Sequence, residues 1–156
     1  MVKILGVAGS PRVSGNSSLL LDEALRGAKD AGAKTNKIIL CNRDIYPCEG
    51  CGDCDKTGEC TIDDGMDKIY NLTTSANGII LAAPIYFNSL NAQTKAFIDR
   101  HQCIWTRKFL QEEEVTAPET RHARRGLFLA TAGVNDPRAF DGALKVMDMF
   151  FDILDI

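Results

Sequence analysis

Val2-Lys3-Ile4-Leu5-Gly6-Val7-Ala8-Gly9-Ser10-Pro11-Arg12-Val13-Ser14-Gly15-Asn16-Ser17-Ser18 is the stretch on which the fold turns. Val2 to Ala8 is a short apolar run of strand length, and it is too short for a signal-peptide core. Gly9 to Ser18 is small, hydroxyl-bearing and punctuated by glycine. From Ser17 to Ala31 the periodicity changes: Leu21, Leu25 and Ala28 fall at helical spacing, and Gly32 closes the segment as a C-terminal glycine should. A strand passing through a glycine–serine turn into a helix is the opening unit of a sheet with crossover helices.

The same unit recurs outward along the chain. Lys34–Leu40 reads as a second strand, followed by a cysteine-rich loop from Cys41 to Cys60. Asp63 or Asp64 caps a helix running to about Ser75. Gly78–Ala83 is a third strand, apolar throughout as a strand covered on both faces should be. Pro84–Leu90 reads as a loop, and Asn91 to about Gln111 as one long helix. Glu112–Arg124 is charged, holds Pro118 and lacks periodicity, which predicts an exposed connection. A fourth strand, Gly126–Thr131, a loop, Ala132–Pro137, and a final helix, Arg138–Asp155, complete the chain. Four strand–helix alternations predict an α/β fold with a parallel sheet between two helical layers, its ligands at the carboxyl ends of the strands. No repeat or linker divides the sequence, so residues 1–156 read as a single domain.

Composition narrows the partners. Of 156 residues 45% are hydrophobic and 25% charged, an ordinary balance for a soluble globular fold. Eighteen basic residues against 21 acidic ones give a net charge of −3, with no basic excess to gather nucleic-acid phosphates. No uncharged apolar stretch approaches the ~18 residues that a membrane span requires. A cytoplasmic location is the expectation. There, clustered cysteines serve as metal ligands or redox groups more often than as structural disulfides.

Three segments carry chemistry, each at a predicted strand end. In Gly9–Ser18, small residues let backbone N–H groups turn inward, the helix N-terminus adds its positive dipole end, and Arg12 adds a full charge. Together they suit a terminal monophosphate. Asn16 stands where a Walker loop has lysine, and Gly6 and Gly9 do not complete G-x-G-x-x-G. The competing reading is an ordinary turn with Asn16 as helix N-cap. The second segment is Pro84-Ile85-Tyr86-Phe87-Asn88-Ser89-Leu90, whose adjacent aromatics can flank a planar ring while Asn88 bonds its edge. The third is Cys48-x2-Cys51-x2-Cys54-x5-Cys60, interleaved with glycines. Four thiolates so placed can wrap a compact iron–sulfur centre of the four-iron (4Fe-4S) type; structural zinc and disulfides remain the alternatives. Cys41 and Cys103 lie outside the pattern and read as small buried hydrophobes.

With Gly-Ser-Pro-Arg…Gly-Asn-Ser at 9–17, the cysteine motif, Pro84-Ile85-Tyr86-Phe87 and Lys95…Phe97-Ile98-Asp99-Arg100 in place, the chain resembles the flavodoxin-like NADPH-dependent FMN reductase family, and within it the iron–sulfur flavoproteins. The resemblance runs to about Arg107. It implies a three-layer sandwich with strand order 2-1-3-4-5, and FMN held at its phosphate by Ser10, Arg12, Gly15, Asn16, Ser17 and Ser18. It implies the isoalloxazine against Pro84, Ile85, Tyr86, Phe87, Asn88 and Ser89, with Ala132 and Gly133 on a third side. Cys48, Cys51, Cys54 and Cys60 would hold the cluster, with electrons passing between a ferredoxin-like donor and a terminal acceptor. The rivals are an NAD(P)H-dependent FMN or quinone reductase with a zinc or vestigial cysteine loop, and a non-catalytic electron carrier. In each the flavin carries the chemistry, and no catalytic side chain is assigned.

Against that pattern the chain falls one strand short, since a fifth strand is missing. Phe140, Ala143, Leu144, Met147, Phe151 and Leu154 form one apolar stripe on the last helix, broadened by Val146, Met149, Phe150 and Ile153. Such excess predicts a homo-dimer or homo-tetramer with this helix in the interface. Asp99-Arg100-His101 reads as a solvated helix face with a local ion pair, and His122 as solvated.

Overall fold

A computed structural model of the chain describes residues 1–156. In chain order its elements are β1 (Lys3–Ala8), α1 (Asn16–Asp30), β2 (Lys34–Ile39), α2 (Cys54–Thr57), α3 (Met66–Ser75) and β3 (Gly78–Tyr86). Then come β4 (Ser89–Leu90), α4 (Ala92–Asp99), α5 (Gln102–Phe109), α6 (Pro118–Arg121), β5 (Arg125–Thr131) and α7 (Asp141–Asp152). No helix is long and apolar enough to cross a membrane.

The sheet is parallel in the order β2-β1-β3-β5, with Lys3 opposite Lys34, Ile4 opposite Gly78 and Gly78 opposite Arg125. This is the flavodoxin-like 2-1-3-4 order, and β5 forms the outer edge. The fifth strand is only β4, two residues paired antiparallel to the end of β3. Helices cover both faces. On one, α1 buries Leu21 and Leu25 against Ala8 and Ala82; full burial of each leucine contributes about 1.5–3 kcal/mol. On the other, α3, α4, α5 and α7 close a core of 22 buried residues over Leu5, Val7, Ile79, Leu81 and Ala83. Gly32, at φ +87°, ends α1 in the left-handed conformation that glycine adopts without strain.

Four segments differ from the sequence expectation. β3 continues through Pro84 to Tyr86 rather than ending at Ala83, because β4 pairs with Ile85 and Tyr86 and holds them extended. The helix expected over 91–111 breaks at Arg100-His101. There the Ile104 N–H bonds to the His101 carbonyl, leaving the Arg100 carbonyl to the Tyr70 hydroxyl (2.8 Å). The connection 112–124 is not wholly exposed. Val115 and Thr116 are buried, and the Arg124 guanidinium donates to the Thr73 and Thr74 carbonyls (both 2.7 Å) at the C-terminal end of α3. The last helix occupies 141–152 after a 3₁₀ turn at Pro137–Phe140. Its buried face is Ala143, Met147 and Phe150, continued by Ile153 and Leu154 in the turn that follows, whereas Leu144 and Met149, which the stripe included, are exposed.

Candidate functional site

The carboxyl ends of β1, β3 and β5 enclose a cleft of about 400 Å³. Ser10, Arg12, Ser14, Gly15, Asn16 and Ser17 supply one wall, Pro84, Ile85 and Tyr86 a second, and Thr131, Ala132 and Gly133 the third. The three predicted loops therefore meet, as strand order 2-1-3-4 requires.

The first wall is shaped for an anion. Gly15 precedes α1 without side-chain capping, and the Asn16, Ser17 and Ser18 amides donate to no other protein group. Orphan donors at the head of a 15-residue helix, with Arg12 exposed beside them, suit a phosphate. Ser10 is buried and its Oγ accepts from the Arg12 N–H (3.0 Å), setting the loop's turn. A Cβ on Gly15 would stand 3.1 Å from Ser10 Oγ and 3.2 Å from the Arg12 carbonyl, so any other residue would push the turn open by a few tenths of an ångström. Asn16 lies within the helix and does not cap it.

Not every expected residue faces the cleft. Ser18 points inward, its hydroxyl donating to the Arg12 carbonyl (3.3 Å), and braces the loop from behind. Phe87, Asn88 and Ser89 lie outside the lining. Phe87 and Asn88, at φ 50° and 58°, are the central pair of the two-residue turn joining β3 to β4, which carries both away from the strand ends. Phe87 is fully exposed.

Two residues that hold the loop carry no site signature in the sequence beyond their place at a helix start. At the head of α4, Asn91 Nδ2 donates to the Gly9 carbonyl (2.7 Å) and to Gln93 Oε1 (2.9 Å). Thr94 Oγ1 donates to Asn91 Oδ1 (2.7 Å) and approaches the Gly9 carbonyl (3.3 Å). Both side chains are buried, and they pin the root of the Gly9–Ser18 turn to β3's following helix. Polar residues at an i, i+3 spacing on the inner face of a helix start were the signal available.

A second cavity, about 280 Å³, is lined by Cys48, Cys51, Cys54 and Cys60 together with Arg100 and Cys103. It shares no residue with the cleft. All six cysteines are free thiols. The four of the motif share a cavity and not a point: no three of the chain's His, Cys, Asp or Glu side chains converge as around one ion. Burial lifts the Cys54 thiol above its ordinary value; a Thr106 hydrogen bond offsets part of this and the Asp55 carboxylate adds to it. Cys103 is buried, as expected, and burial pushes its thiol up to about 11; Cys41 is only half-buried.

Beneath this cavity Asp99-Arg100-His101 departs most from expectation. Asp99 pairs with Lys95 on the surface (2.6 Å), but Arg100 and His101 are buried. Arg100 donates from Nη1 to the Tyr46 carbonyl (2.9 Å) and Asp64 Oδ2 (2.5 Å), and from Nη2 to the Ile62 carbonyl (3.3 Å) and Asp64 Oδ1 (3.1 Å). Burial alone would raise the Asp64 carboxyl, but the Arg100 guanidinium and the Met66 and Tyr46 amides hold it below the usual range. His101 Nδ1 faces the Phe97 carbonyl (2.9 Å) and Nε2 the Thr73 hydroxyl (3.1 Å), inside a cage of Tyr70, Phe97 and Phe150. Burial drives its pKa down to about 4, so the ring is neutral. A carbonyl can only accept, which places the ring's proton on Nδ1. His122 is exposed, as expected.

A flavodoxin-like sheet with an anion-binding turn after its first strand, facing loops from β3 and β5, defines a class of α/β mononucleotide-binding proteins. Within that class, the sequence profile of the NADPH-dependent FMN reductases matches residues 2–139, and the chain belongs to that family. It is similar to an iron–sulfur flavoprotein of Methanosarcina thermophila, with 39% identity over 116 residues, 74% of this chain and 61% of the relative. It is similar also to one of Methanocaldococcus jannaschii, with 41% identity over 99 residues, 64% of this chain and 51% of the relative. The chain thus spans about half to three-fifths of the length of these relatives. Among solved structures, an FMN-dependent NADH-azoreductase of Bacillus anthracis in complex with FMN superposes with a TM-score of 0.68 at 18% identity, covering 100% of this chain and 83% of that one. At such identity the likeness concerns the fold.

Proposed function

We propose that this chain is a single FMN-binding domain of a flavin-dependent oxidoreductase. In this reading it holds an iron–sulfur cluster in its cysteine loop and moves electrons between a ferredoxin-like donor and a terminal acceptor, in the cytoplasm. One observation carries the reading: a cleft with a phosphate cradle and a separate cavity lined by the four thiols of the motif and Cys103 lie in the same fold. Relatives named iron–sulfur flavoproteins, and a solved neighbour described in complex with FMN, support it.

The residues divide the work. The Asn16 and Ser17 amides and Arg12 would neutralise the FMN phosphate, with Ser18 and Asn91 keeping that wall in shape. Pro84, Ile85 and Tyr86 would bound the isoalloxazine on one side and Thr131, Ala132 and Gly133 on the other, leaving the mouth open to an acceptor. Cys48, Cys51, Cys54 and Cys60 would ligate the cluster; a multi-iron centre holds its ligands apart around a volume, which fits a thiol-lined cavity better than a point. When bound, the cluster supplies single electrons and the flavin one or two. Cys48 and Cys51 are exposed, giving a donor access at that edge.

Anaerobically prepared protein should be brown, contain iron and acid-labile sulfide, and release FMN on denaturation. Cys51→Ser should abolish the iron and spare the flavin. Stoichiometric zinc in a yellow protein would instead support the NAD(P)H-dependent reductase, and loss of both groups from C51S would refute separate sites. Assembly as a homo-dimer or homo-tetramer through α7, with Leu144 and Met149 in the contact, is tested by sedimentation; a monomer refutes it.

A further inference from the structure

Arg100 is an arginine with one donor to spare. Its side chain and that of Asp64 are 0% and 1% exposed. Four of its five N–H groups are spent on the Tyr46 carbonyl, the Ile62 carbonyl and both Asp64 oxygens. Those acceptors flank the cysteine motif on either side, so one guanidinium closes the base of the loop that holds Cys48 to Cys60. The fifth, Nε–H, is buried and has no partner. A buried donor left unpaired is costly and rare, and such a group calls for an explanation. Arg124 also has an orphaned Nε, but it sits at the foot of α3 away from the thiols, whereas Arg100 forms part of the wall of the thiol cavity.

Charge points the same way. Besides the four thiols of the motif and the buried Cys103, the cavity wall carries the acidic Glu49 and Asp55 and a single cation, Arg100. A thiolate-ligated centre there would be anionic, and its reduction potential would depend on net charge and on hydrogen bonds to its sulfurs.

We propose that Arg100 is the positioning and potential-setting residue of the thiol cavity. Its Nε–H donates to a sulfur of the group held by Cys48, Cys51, Cys54 and Cys60, and its charge raises that group's reduction potential. This rests on the iron–sulfur reading above. Asp64 acts through Arg100, fixing the guanidinium plane by its bidentate bond and moderating its charge.

The test is a redox titration of the reconstituted full chain, followed by electron paramagnetic resonance. Arg100→Met should shift the cluster midpoint to more negative potential, and Asp64→Asn, which leaves the cation uncompensated, to more positive potential. A residue that merely staples the loop would move both variants in the same direction or neither, and that result overturns the proposal. Where a variant binds no iron, the native chain decides. On loading with iron and sulfide, the Arg100 Nε–H resonance should shift and its hydrogen exchange should slow; unchanged position and exchange overturn the proposal. Failure of the native chain to take up iron and sulfide would instead sink the cluster reading, and it is seen before any substitution is made.

Discussion

Asn91 offers the sharpest test of how the proposed phosphate wall of the cleft is held. Asn91→Ala removes two donated bonds, to Gly9 O (2.7 Å) and Gln93 Oε1 (2.9 Å), and one accepted from Thr94 (2.7 Å). At about 1 kcal/mol net for each hydrogen bond, two of them buried and the one to Gln93 partly so, the loss is at most about 3 kcal/mol. For a chain of this size that corresponds to a fall in Tm of roughly 6–12 °C. Gly9 O keeps only the longer Thr94 contact (3.3 Å), so the turn loosens and FMN affinity should fall about tenfold. Riboflavin, which lacks the phosphate, should be affected less. Asn91→Asp adds a signature in pH. The oxygen replacing Nδ2 meets a carbonyl that can only accept, so the ionised form is repelled and the protonated form donates. Its folded-state pKa is therefore raised above the unfolded value, and the stability of this variant relative to wild type is highest at low pH and lost as pH rises. Chemical denaturation at several pH values, with FMN titrations by fluorescence, measures all of this. An Asn91→Ala loss under 1 kcal/mol, or identical pH behaviour of the Ala and Asp variants, would refute the account.

Arg12→Ala should weaken FMN by roughly 10–100-fold through loss of a charge-assisted bond, while riboflavin binding, read in the same titration, stays within twofold. Phe87 is bulky, fully exposed and at φ 50°, so Phe87→Asn should raise Tm by about 2–4 °C; a lower Tm would refute backbone strain there. Between about pH 6.5 and 4 the unfolded chain protonates His101 while the folded chain keeps it neutral. The unfolded state thus binds the extra proton, stability falls as pH falls through that window by on the order of 3 kcal/mol, and His101→Gln should flatten the slope of unfolding free energy against pH.

Much of the fold and half of the chemistry were legible in the sequence because they depend on local pattern. Val2–Ala8 and Gly126–Thr131 are strands by their own apolar runs, Lys34–Leu40 by its β-branched and apolar end at Ile38-Ile39-Leu40, α1 is a helix by the spacing of Leu21 and Leu25, and right-handed crossovers then leave few sheet orders. The Gly9–Ser18 turn and the cysteine motif stand out in the sequence because small residues ahead of a helix and closely spaced cysteines are local patterns, and the structure places the one at a cleft and the other around a cavity. Tertiary structure alone decided which residues face inward. Arg100 and His101 look like surface polar residues until Asp64, Tyr46 and Ile62 fold over the one, and Tyr70, Phe97 and Phe150 over the other. Asn91 looks like a helix start until Gly9, 82 positions away, presents its carbonyl. Phe87 and Asn88 look like part of an irregular loop until β4 pairs back on β3 and makes them the two-residue turn between the strands, outside the cleft lining. Spacing along a chain determines what a segment can do, but burial and long-range partners are set by what the other segments bring to it.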